Sequence, residues 1–564
     1  MRFEEFTYER PDMGALEKAF REKIAQFVAA ANVELQHQIL ADINKLRISF
    51  DTQLNICHIR HTANTNDTYY EAENNFFDQE TPRFRGWVND FYSALLASPY
   101  REALEHKWGK QLFNIAHLTL KTQNESVIAL LQEENRLSSE YTRIKAKAQI
   151  EFMGEIHNLA SIEKFGVSPD RALRKAANEA KWGFYREKEA VFDQLFDGLV
   201  QVRHQIATAL GFENFVELGY ARMLRSDYGA DEVAVFRNGI ADHITPLASQ
   251  FYEQQAQRLG LDALKYYDED LRFPTGNPQP KGDPAWIIEQ AAHMYRELAP
   301  ETAEFFDFMQ THNLMDLQTR PGKAMGGYCT YIASHKAPFI FSNFNGTSGD
   351  IDVLTHEAGH AFQVYSSRNI GISEYQWPTY EACEIHSMSM EFFAWPWMDG
   401  FFQEDADLYR FSHLNNAVYF LPYGSTVDEF QHFVYANPHA SPAERKAFWR
   451  KLEQKYLPQK DYDGFDFLEQ GGYWHKQTHI FAMPFYYIDY VLAQICAFQF
   501  WKKDQDDHEQ AWADYLRLCQ AGGSDAFLNL VNLANLKSPF EADCIKEVSR
   551  PIANWLESWR LEAV

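Results

Sequence analysis

The sequence predicts a mainly α-helical protein, a large helical body with one small β-sheet region. Through the first 200 residues, apolar side chains recur every three or four positions between charged ones, as they do in amphipathic helices. The segments 126–166 and 170–212 are long examples. Strand-like runs are confined to residues 321–349, and helical patterning resumes after them.

A chain of 564 residues is too long for one simple domain. We expect an N-terminal helical domain over 1–200 and a second domain over 201–564. Within the second, the Pro- and Gly-rich stretch 268–286 predicts an exposed loop. The strand-like runs GYCTYIA (327–333) and PFIFSNF (338–344) follow it, and two helical segments come directly after them.

The charge and cysteine content exclude several classes of protein. With 53 Lys+Arg against 79 Asp+Glu the net charge is −26, so we expect no nucleic acid and no membrane as a partner. No run of about 18 apolar residues occurs, which predicts no transmembrane helix. The N-terminus has no apolar segment typical of a secretion signal. Six cysteines without a C-x-x-C pair are typical of reduced thiols, so we expect a cytoplasmic protein. Nothing in the sequence indicates an obligate protein partner.

A metal-binding motif, His356-Glu357-Ala358-Gly359-His360, lies in the first helical segment after the strand-like runs. Positions i and i+4 of a helix share one face, so the two imidazoles point toward the same ligand position. This spacing suits two nitrogen ligands of a tetrahedral zinc, and Glu357 can reach a water on that metal without binding it. The motif also arises by chance, so the residues around it decide its meaning.

A catalytic zinc needs a third protein ligand and one open position. No third histidine follows His360 at the spacing of the metzincins, so we expect a carboxylate from a nearby helix. The segment TYEACEIHSMSMEFF offers Glu381, Glu384 and Glu391. Spacing alone does not choose among them.

Two other functions fit parts of this pattern. The spacing of Glu357 and His360 also occurs in carboxylate-bridged di-iron proteins, and it recurs at 34–37 and 429–432, but this interpretation leaves His356 unexplained. A peptide-binding protein with a structural zinc would need four protein ligands. No cysteine or fourth histidine is well placed to complete such a set.

A tyrosine-rich segment contains His479, Tyr486, Tyr487 and Tyr490. Peptide cleavage needs donors that stabilise an oxyanion, and phenol and imidazole groups can supply them. An aromatic-rich helix is also typical of a buried core. The segment alone therefore leaves both interpretations open.

The run PFIFSNF has two interpretations as well. It is either part of a structural sheet or an edge strand that pairs with an extended peptide through main-chain hydrogen bonds. Because the helix that carries the metal motif begins within ten residues of its end, we favour peptide pairing. Phe339 and Phe341 are then candidate substrate contacts.

The metal motif and its surroundings resemble the thimet oligopeptidase and oligoendopeptidase F family of zinc metallopeptidases. HEAGHAFQVYSS is followed by CEIHSMSMEFF, in which Glu384 lies 28 residues after His356. HIFAMPFYYIDY, from residue 479, is similar to the family's tyrosine-rich segment. The resemblance is strongest over 200–564 and is nearest to the bacterial oligoendopeptidase F and Pz-peptidase branch.

The resemblance implies that one zinc ion per chain is held by His356, His360 and Glu384, with Glu357 as the general base. It places Glu391 in the shell around these ligands. Asp352, one helical turn before His356, is a further candidate for that shell, although a helix N-terminal charge explains it equally well.

The same resemblance implies catalytic roles for His479, Tyr486 and Tyr490, while Tyr487 is a candidate for substrate binding and could exchange roles with Tyr486. It implies a zinc-dependent endopeptidase for short unstructured peptides, which would enter a deep channel in the helical body. Residues 201–564 would then form the catalytic domain.

Overall fold

The computed structural model describes residues 1–559, which form 25 α-helices and five β-strands. In the first half of the chain these are α1 (Met13–Val28), α2 (Val33–Ala63), α3 (Thr68–Leu96), α4 (Arg101–Trp108), α5 (Lys110–Thr122), α6 (Ile128–Ala146), β1 (Ile150–Phe152), β2 (Glu155–His157), α7 (Glu163–Gly166), α8 (Arg171–Glu187), α9 (Glu189–Ala209), α10 (Phe215–Arg222), α11 (Ala230–His243) and α12 (Thr245–Arg258). The remainder are α13 (Pro284–Leu298), α14 (Pro300–Thr311), β3 (Met315–Gln318), β4 (Tyr328–Ile332), β5 (Ala337–Phe344), α15 (Gly349–Ser366), α16 (Tyr380–Phe393), α17 (Met398–Phe402), α18 (Ala406–Ala436), α19 (Pro442–Tyr456), α20 (Asp466–Glu469), α21 (Thr478–Ala482), α22 (Tyr487–Asp506), α23 (His508–Ala521), α24 (Phe527–Leu533) and α25 (Cys544–Ser558).

The prediction of a mainly α fold is confirmed, since two small sheets are the only sheets in the described chain. None of the described helices has the length and apolarity needed to cross a membrane.

One predicted helix is partly wrong. The helical pattern predicted over 126–166 ends with α6, and an antiparallel hairpin of β1 and β2 follows. Met153 and Gly154 form its two-residue turn, with φ of 53° and 81°. Two positive φ values match the right-handed twist of a tight hairpin, and glycine adopts them without strain. Apolar and polar residues alternate through Ile150–Phe152, a period of two that indicates a strand.

The chain divides into two compact units, each built from three separate segments. The first unit contains Met1–Leu120, Gln279–Ala406 and Cys496–Lys537. The second contains Lys121–Pro278, Asp407–Ile495 and residues from Ser538 onward. A domain boundary near residue 200 stays a prediction.

The three-stranded sheet of the first unit corrects the expectation for PFIFSNF. The strand order is β3-β5-β4, and β5 pairs in parallel with β3 and antiparallel with β4. The run is therefore the central strand and not an edge. Phe339 and Phe341 are 2% and 0% exposed, so both side chains belong to the core. The edge strands are β3 and β4, and β4 is the one that pairs antiparallel with β5.

A tight turn connects β5 to α15. The Asp350 carboxylate accepts hydrogen bonds from the main-chain N–H groups of Asn345 (2.9 Å) and Gly346 (2.8 Å). These bonds fix the turn, so Asp350 stabilises the approach to the helix, while Ser348 occupies the N-cap position without a side-chain capping bond. Helix α15 then packs against β5, β4 and α16.

Candidate active site

Three side chains of the first unit bring metal-ligating atoms to one point. His356 and His360 lie one turn apart on α15, and Glu384 lies on the neighbouring α16. Glu384 Oε2 is 3.2 Å from His356 Nε2 and 3.5 Å from His360 Nε2. All three ligand atoms lie within 4.8 Å of one another.

These distances fit a tetrahedral metal site. Ligand atoms at about 2.0–2.1 Å from zinc are roughly 3.3 Å apart in a tetrahedron. The two measured nitrogen-to-oxygen distances lie on either side of that value. Two imidazoles and one carboxylate are also the donor types that catalytic zinc sites use. The trio therefore has the spacing and the chemistry to hold a zinc ion and leave a position for a further ligand.

Glu391 orients the first imidazole. Its Oε1 is 2.7 Å from His356 Nδ1, and because a carboxylate accepts, Nδ1 carries the proton. The other nitrogen, Nε2, then faces the position that it shares with Glu384 and His360, where a bound metal would take its lone pair. A carboxylate behind a histidine in this way fixes the tautomer and the ring orientation of a metal ligand.

Glu357 is buried beside the histidines, at 9% exposure. Burial raises the pKa of its carboxyl, against the neighbouring His360 and His356, which lower it. A Cβ atom built on Gly327, at the start of β4, would lie 3.8 Å from Glu357 Oε1. Gly327, directly before Tyr328, therefore places one end of the outer strand next to the carboxylate.

Glu384 is held as an anion by its surroundings. Burial acts to raise the pKa of its carboxyl, but His360 and His356 outweigh it and hold that pKa well below its usual range. The Ser387 hydroxyl donates to Glu384 Oε2 at 2.9 Å. Burial would lower the pKa of His356, and Glu384 and Glu391 reverse this and raise it well above its usual value.

Spacing left three glutamates open as the third ligand, and the structure brings one of them to the histidines. Glu384 is in the converging trio, Glu391 contacts His356, and Glu381 is buried elsewhere along α16. Asp352 lies in the first turn of α15, where an acidic residue also favours the helix N-terminus. Its predicted role around the metal stays a prediction.

The residues that suggested a di-iron protein have other partners. His37 Nδ1 accepts from Trp108 Nε1 at 2.9 Å, and Glu429 accepts from Lys455 at 2.8 Å. Within residues 1–559, the trio on α15 and α16 is the one group of three or more potential ligands that converges. The repeated Glu-x-x-His spacing is therefore not a repeated metal site.

The second unit gathers the tyrosine-rich segment into one aromatic cluster. The ring centroid of His479 lies 5.5 Å from Tyr486, 5.0 Å from Tyr487 and 5.9 Å from Tyr490. The rings of Tyr486 and Tyr490 are 4.9 Å apart. Tyr487 is as close to His479 as the other two phenols, so the geometry does not separate its role from that of Tyr486.

Sequence reasoning missed the residues that hold this cluster. Arg225, from the loop after α10, donates to the main-chain carbonyl of Phe485 (2.6 Å) and to the Asp489 carboxylate (2.5 Å). The Gln431 side chain accepts from the Phe485 N–H at 2.9 Å. Phe485 has a φ of 68°, and these bonds stabilise that left-handed backbone just before Tyr486. No local pattern could reveal Arg225, since its acidic partner is 264 residues away in sequence.

Two family models match the chain. A model described as the Peptidase M3 N-terminal domain matches residues 3–123, and one described as Peptidase family M3 matches residues 301–550. The second match includes the trio and the aromatic cluster.

Solved structures agree with the family models along almost the whole chain. A Pz peptidase A, solved with an inhibitor, is 57% identical with a TM-score of 0.95, and the match covers 99% of this chain and 99% of that one. A protein of Bacillus anthracis str. Ames assigned as an oligoendopeptidase F is 52% identical, with a TM-score of 0.90, over 99% of this chain and 98% of that one.

A more distant relative is the chromosomal oligoendopeptidase F of Lactococcus lactis subsp. cremoris, which is 25% identical over 195 residues. That alignment spans 34% of this chain and 31% of the relative. The family models and the two long, high-identity matches carry the assignment, and this relative agrees with it. The chain belongs to peptidase family M3 and is a metalloendopeptidase.

Proposed function

We propose that this protein is a zinc-dependent endopeptidase that hydrolyses short, unstructured oligopeptides, with Glu357 as its general base. The observation that carries the proposal is the convergence of His356, His360 and Glu384 within 4.8 Å, beside the buried Glu357 carboxylate. Such a site has the donors for one metal ion and a separate carboxylate for proton transfer.

The protein's own residues divide the work. His356, His360 and Glu384 would hold the ion, and Glu391 would keep the His356 ring in its ligating orientation. When bound, zinc supplies Lewis-acid chemistry and lowers the pKa of a coordinated water. Glu357 would take a proton from the attacking water and deliver it to the leaving amine. Its raised pKa suits a group that must both accept and release a proton.

Strand β4 is the proposed docking edge for the peptide. The carbonyl of Tyr331 points away from β5 and already accepts from Asn55 Nδ2 of α2 at 3.0 Å, so a peptide would pair with the part of β4 nearer Gly327. Alternate residues of a strand direct their main-chain groups to the same side, so those of Cys329 face outward too. A peptide pairing there would run past Gly327 to Glu357, which supports β4 in the role first expected of β5.

The aromatic cluster would supply the remaining donors. His479, Tyr486 and Tyr490 carry N–H and O–H groups able to stabilise an oxyanion and to hold the substrate backbone. We assign these roles by chemistry and by the family resemblance, and Tyr487 remains a candidate for substrate binding.

We further propose that the protein works in a reducing compartment of the cell. The six cysteines form no disulfide within the described chain. This supports a cytoplasmic location, in which the substrates would be short peptides and the negative net charge would disfavour nucleic acid.

The test of the general base is Glu357→Gln. We expect the variant to keep about one zinc per chain, measured by elemental analysis, because Glu357 is not a ligand. Its kcat on an internally quenched peptide should fall by at least ~100-fold, since general base catalysis is lost. Glu301→Gln, on the exposed side of α14, changes the same charge and should leave both values unchanged. Full activity in zinc-loaded Glu357→Gln would show that another group is the base.

A further inference from the structure

A chain of two hydrogen bonds leads to His479 in the second unit. The hydroxyl of Tyr423, on α18, donates to Gln477 Oε1 at 2.7 Å. Gln477 precedes α21, and its Nε2 is 2.9 Å from His479 Nδ1. The phenol, the amide and the imidazole are thus linked in one line.

The amide of Gln477 determines the tautomer of His479. An amide nitrogen only donates, so with Nε2 of Gln477 against the ring, His479 Nδ1 must accept. A neutral imidazole has one donor and one acceptor nitrogen, so its proton then lies on Nε2. Tyr423 matters because its hydroxyl holds the amide oxygen and so keeps the amide nitrogen toward His479. If the amide turned over, its oxygen would face the ring, and the proton of His479 would move from Nε2 to Nδ1. The tautomer of His479 therefore shows which way the Gln477 amide is oriented.

The charges around this segment oppose a second proton on the ring. Lys145, from α6, donates to the Lys476 carbonyl (2.8 Å) and to the Thr478 hydroxyl (2.9 Å). Arg203, from α9, donates to the Phe481 carbonyl at 2.6 Å. These cations hold the main chain on both sides of His479. Arg203 is neutralised by the Glu134 carboxylate at 2.7 Å, so Lys145 is the positive charge that disfavours a second proton on the ring.

Phenols and one further cation also lie around this segment. Tyr486, Tyr487 and Tyr490 lie against the His479 ring, with centroids 5.0–5.9 Å away. Lys476 donates to the Tyr473 hydroxyl at 2.8 Å. The phenols are neutral and Lys476 is positive at neutral pH, and the Asp489 carboxylate of the same segment is paired with Arg225 at 2.5 Å, so these groups favour the uncharged imidazole.

We propose that Gln477, held by Tyr423, is a positioning residue that fixes His479 as the neutral tautomer with its proton on Nε2. The inference deepens the proposed function and rests on it, because a proton on Nε2 is what His479 needs to donate to a substrate carbonyl or an oxyanion. The amide chain would keep that donor ready without the ring having to charge.

The test compares Gln477→Glu with the unchanged protein, both full length and zinc-loaded. A carboxylate only accepts, so it takes the proton onto Nδ1 and leaves Nε2 without one in the neutral ring. The tautomer is measured by nitrogen NMR of histidine-labelled protein, with the His479 signal assigned from its loss in His479→Ala. We expect a protonated Nε2 in the parent and a protonated Nδ1 in the variant.

Catalysis gives a second readout, which a merely structural role would not move. In Gln477→Glu, only the imidazolium keeps a proton on Nε2, so kcat/KM should fall as the pH rises through the variant's imidazolium pKa. At high pH the loss should reach about tenfold, the value of one orienting hydrogen bond. Gln477→Leu removes the bond without adding charge and should lower kcat/KM by a similar factor with little change in pH profile. Gln257→Glu adds the same charge on an exposed face of α12 and should behave like the parent.

The outcomes separate this inference from the proposed function. A parent with its proton on Nδ1, or a Gln477→Glu variant with the parent's tautomer and pH profile, overturns the positioning role. Should Gln477→Glu fail to fold, the parent's tautomer and the Gln477→Leu kinetics still decide it. Undiminished peptide hydrolysis by His479→Ala would overturn the catalytic role of His479, while the tautomer change would still establish the hydrogen-bond chain.

Discussion

The hydrogen bond between His356 Nδ1 and Glu391 determines which nitrogen of the first imidazole faces Glu384 and His360. At 2.7 Å it is a short, charge-assisted contact, and Glu391 is only 16% exposed. Without it, the ring could rotate and exchange its two nitrogens. The orientation of this proposed ligand therefore depends on a residue that would not itself touch the metal.

Replacing Glu391 by Ala should weaken zinc binding by about 10- to 100-fold, the usual effect of removing a partner that orients a ligating histidine. Competition against a chelator of known affinity measures this change. Glu301→Gln serves as the exposed control on α14. Zinc affinity equal to that of the parent would contradict the orienting role.

The sequence predicts the contacts of some site residues and not of others. The pairing of His356 with His360 depends only on helix geometry, so spacing predicted it. The identity of the third ligand, a carboxylate, depends on how α16 packs against α15. Spacing alone leaves Glu381, Glu384 and Glu391 open, and the structure and the family resemblance both point to Glu384. Arg225 reaches Asp489, and Tyr423 reaches Gln477, only through folding, and no pattern of residue types predicts either contact.

The packing of α15 against α16 explains the glycine within the metal motif. A Cβ atom on Gly359 would lie 2.6 Å from the His386 carbonyl oxygen and 2.6 Å from Ser387 Cα. Both are main-chain atoms, which cannot rotate away as a side chain could. Glycine therefore allows the two helices to approach closely enough for Glu384 to reach the histidines of α15.

Gly359→Ala should separate the two helices. We expect a loss of about 1–3 kcal/mol in the free energy of unfolding, as for other overpacked cores, and weaker zinc binding. Denaturant unfolding and chelator competition measure the two effects. Gly86→Ala in α3 is the matched control, because nothing lies within 4 Å of the added methyl group. That change should stabilise the helix by about 0.5–1 kcal/mol. Equal effects at both positions would contradict the close approach.

The strands show where element-level prediction failed and why. The runs that form β4 and β5 were recognised from their β-branched and aromatic content, but content does not reveal a strand's neighbours. The four-residue β3 was too short to stand out, and it is β3 that makes β5 central by pairing with its second edge. The strands β1 and β2 have three residues each, and an alternation this short does not distinguish a hairpin from the end of a helix.

For the whole molecule, the sequence predicted the mainly α class and the family, but it does not show which segments combine in each compact unit. Each unit combines three segments that are distant in the chain. Periodicity reports on neighbours within a few residues, so it contains no information on such pairings. The ligand trio belongs to the first unit and the aromatic cluster to the second.

Product analysis of a mixed peptide library tests the central claim, zinc-dependent endopeptidase activity, most directly. The protein would be assayed by mass spectrometry as prepared, after removal of metal by a chelator, and after addition of one equivalent of zinc. We predict cuts at internal peptide bonds, loss of all cutting on chelation, and recovery with zinc at about one ion per chain. Cutting that persists in the metal-free protein, or products formed only by trimming the peptide ends, would contradict the account.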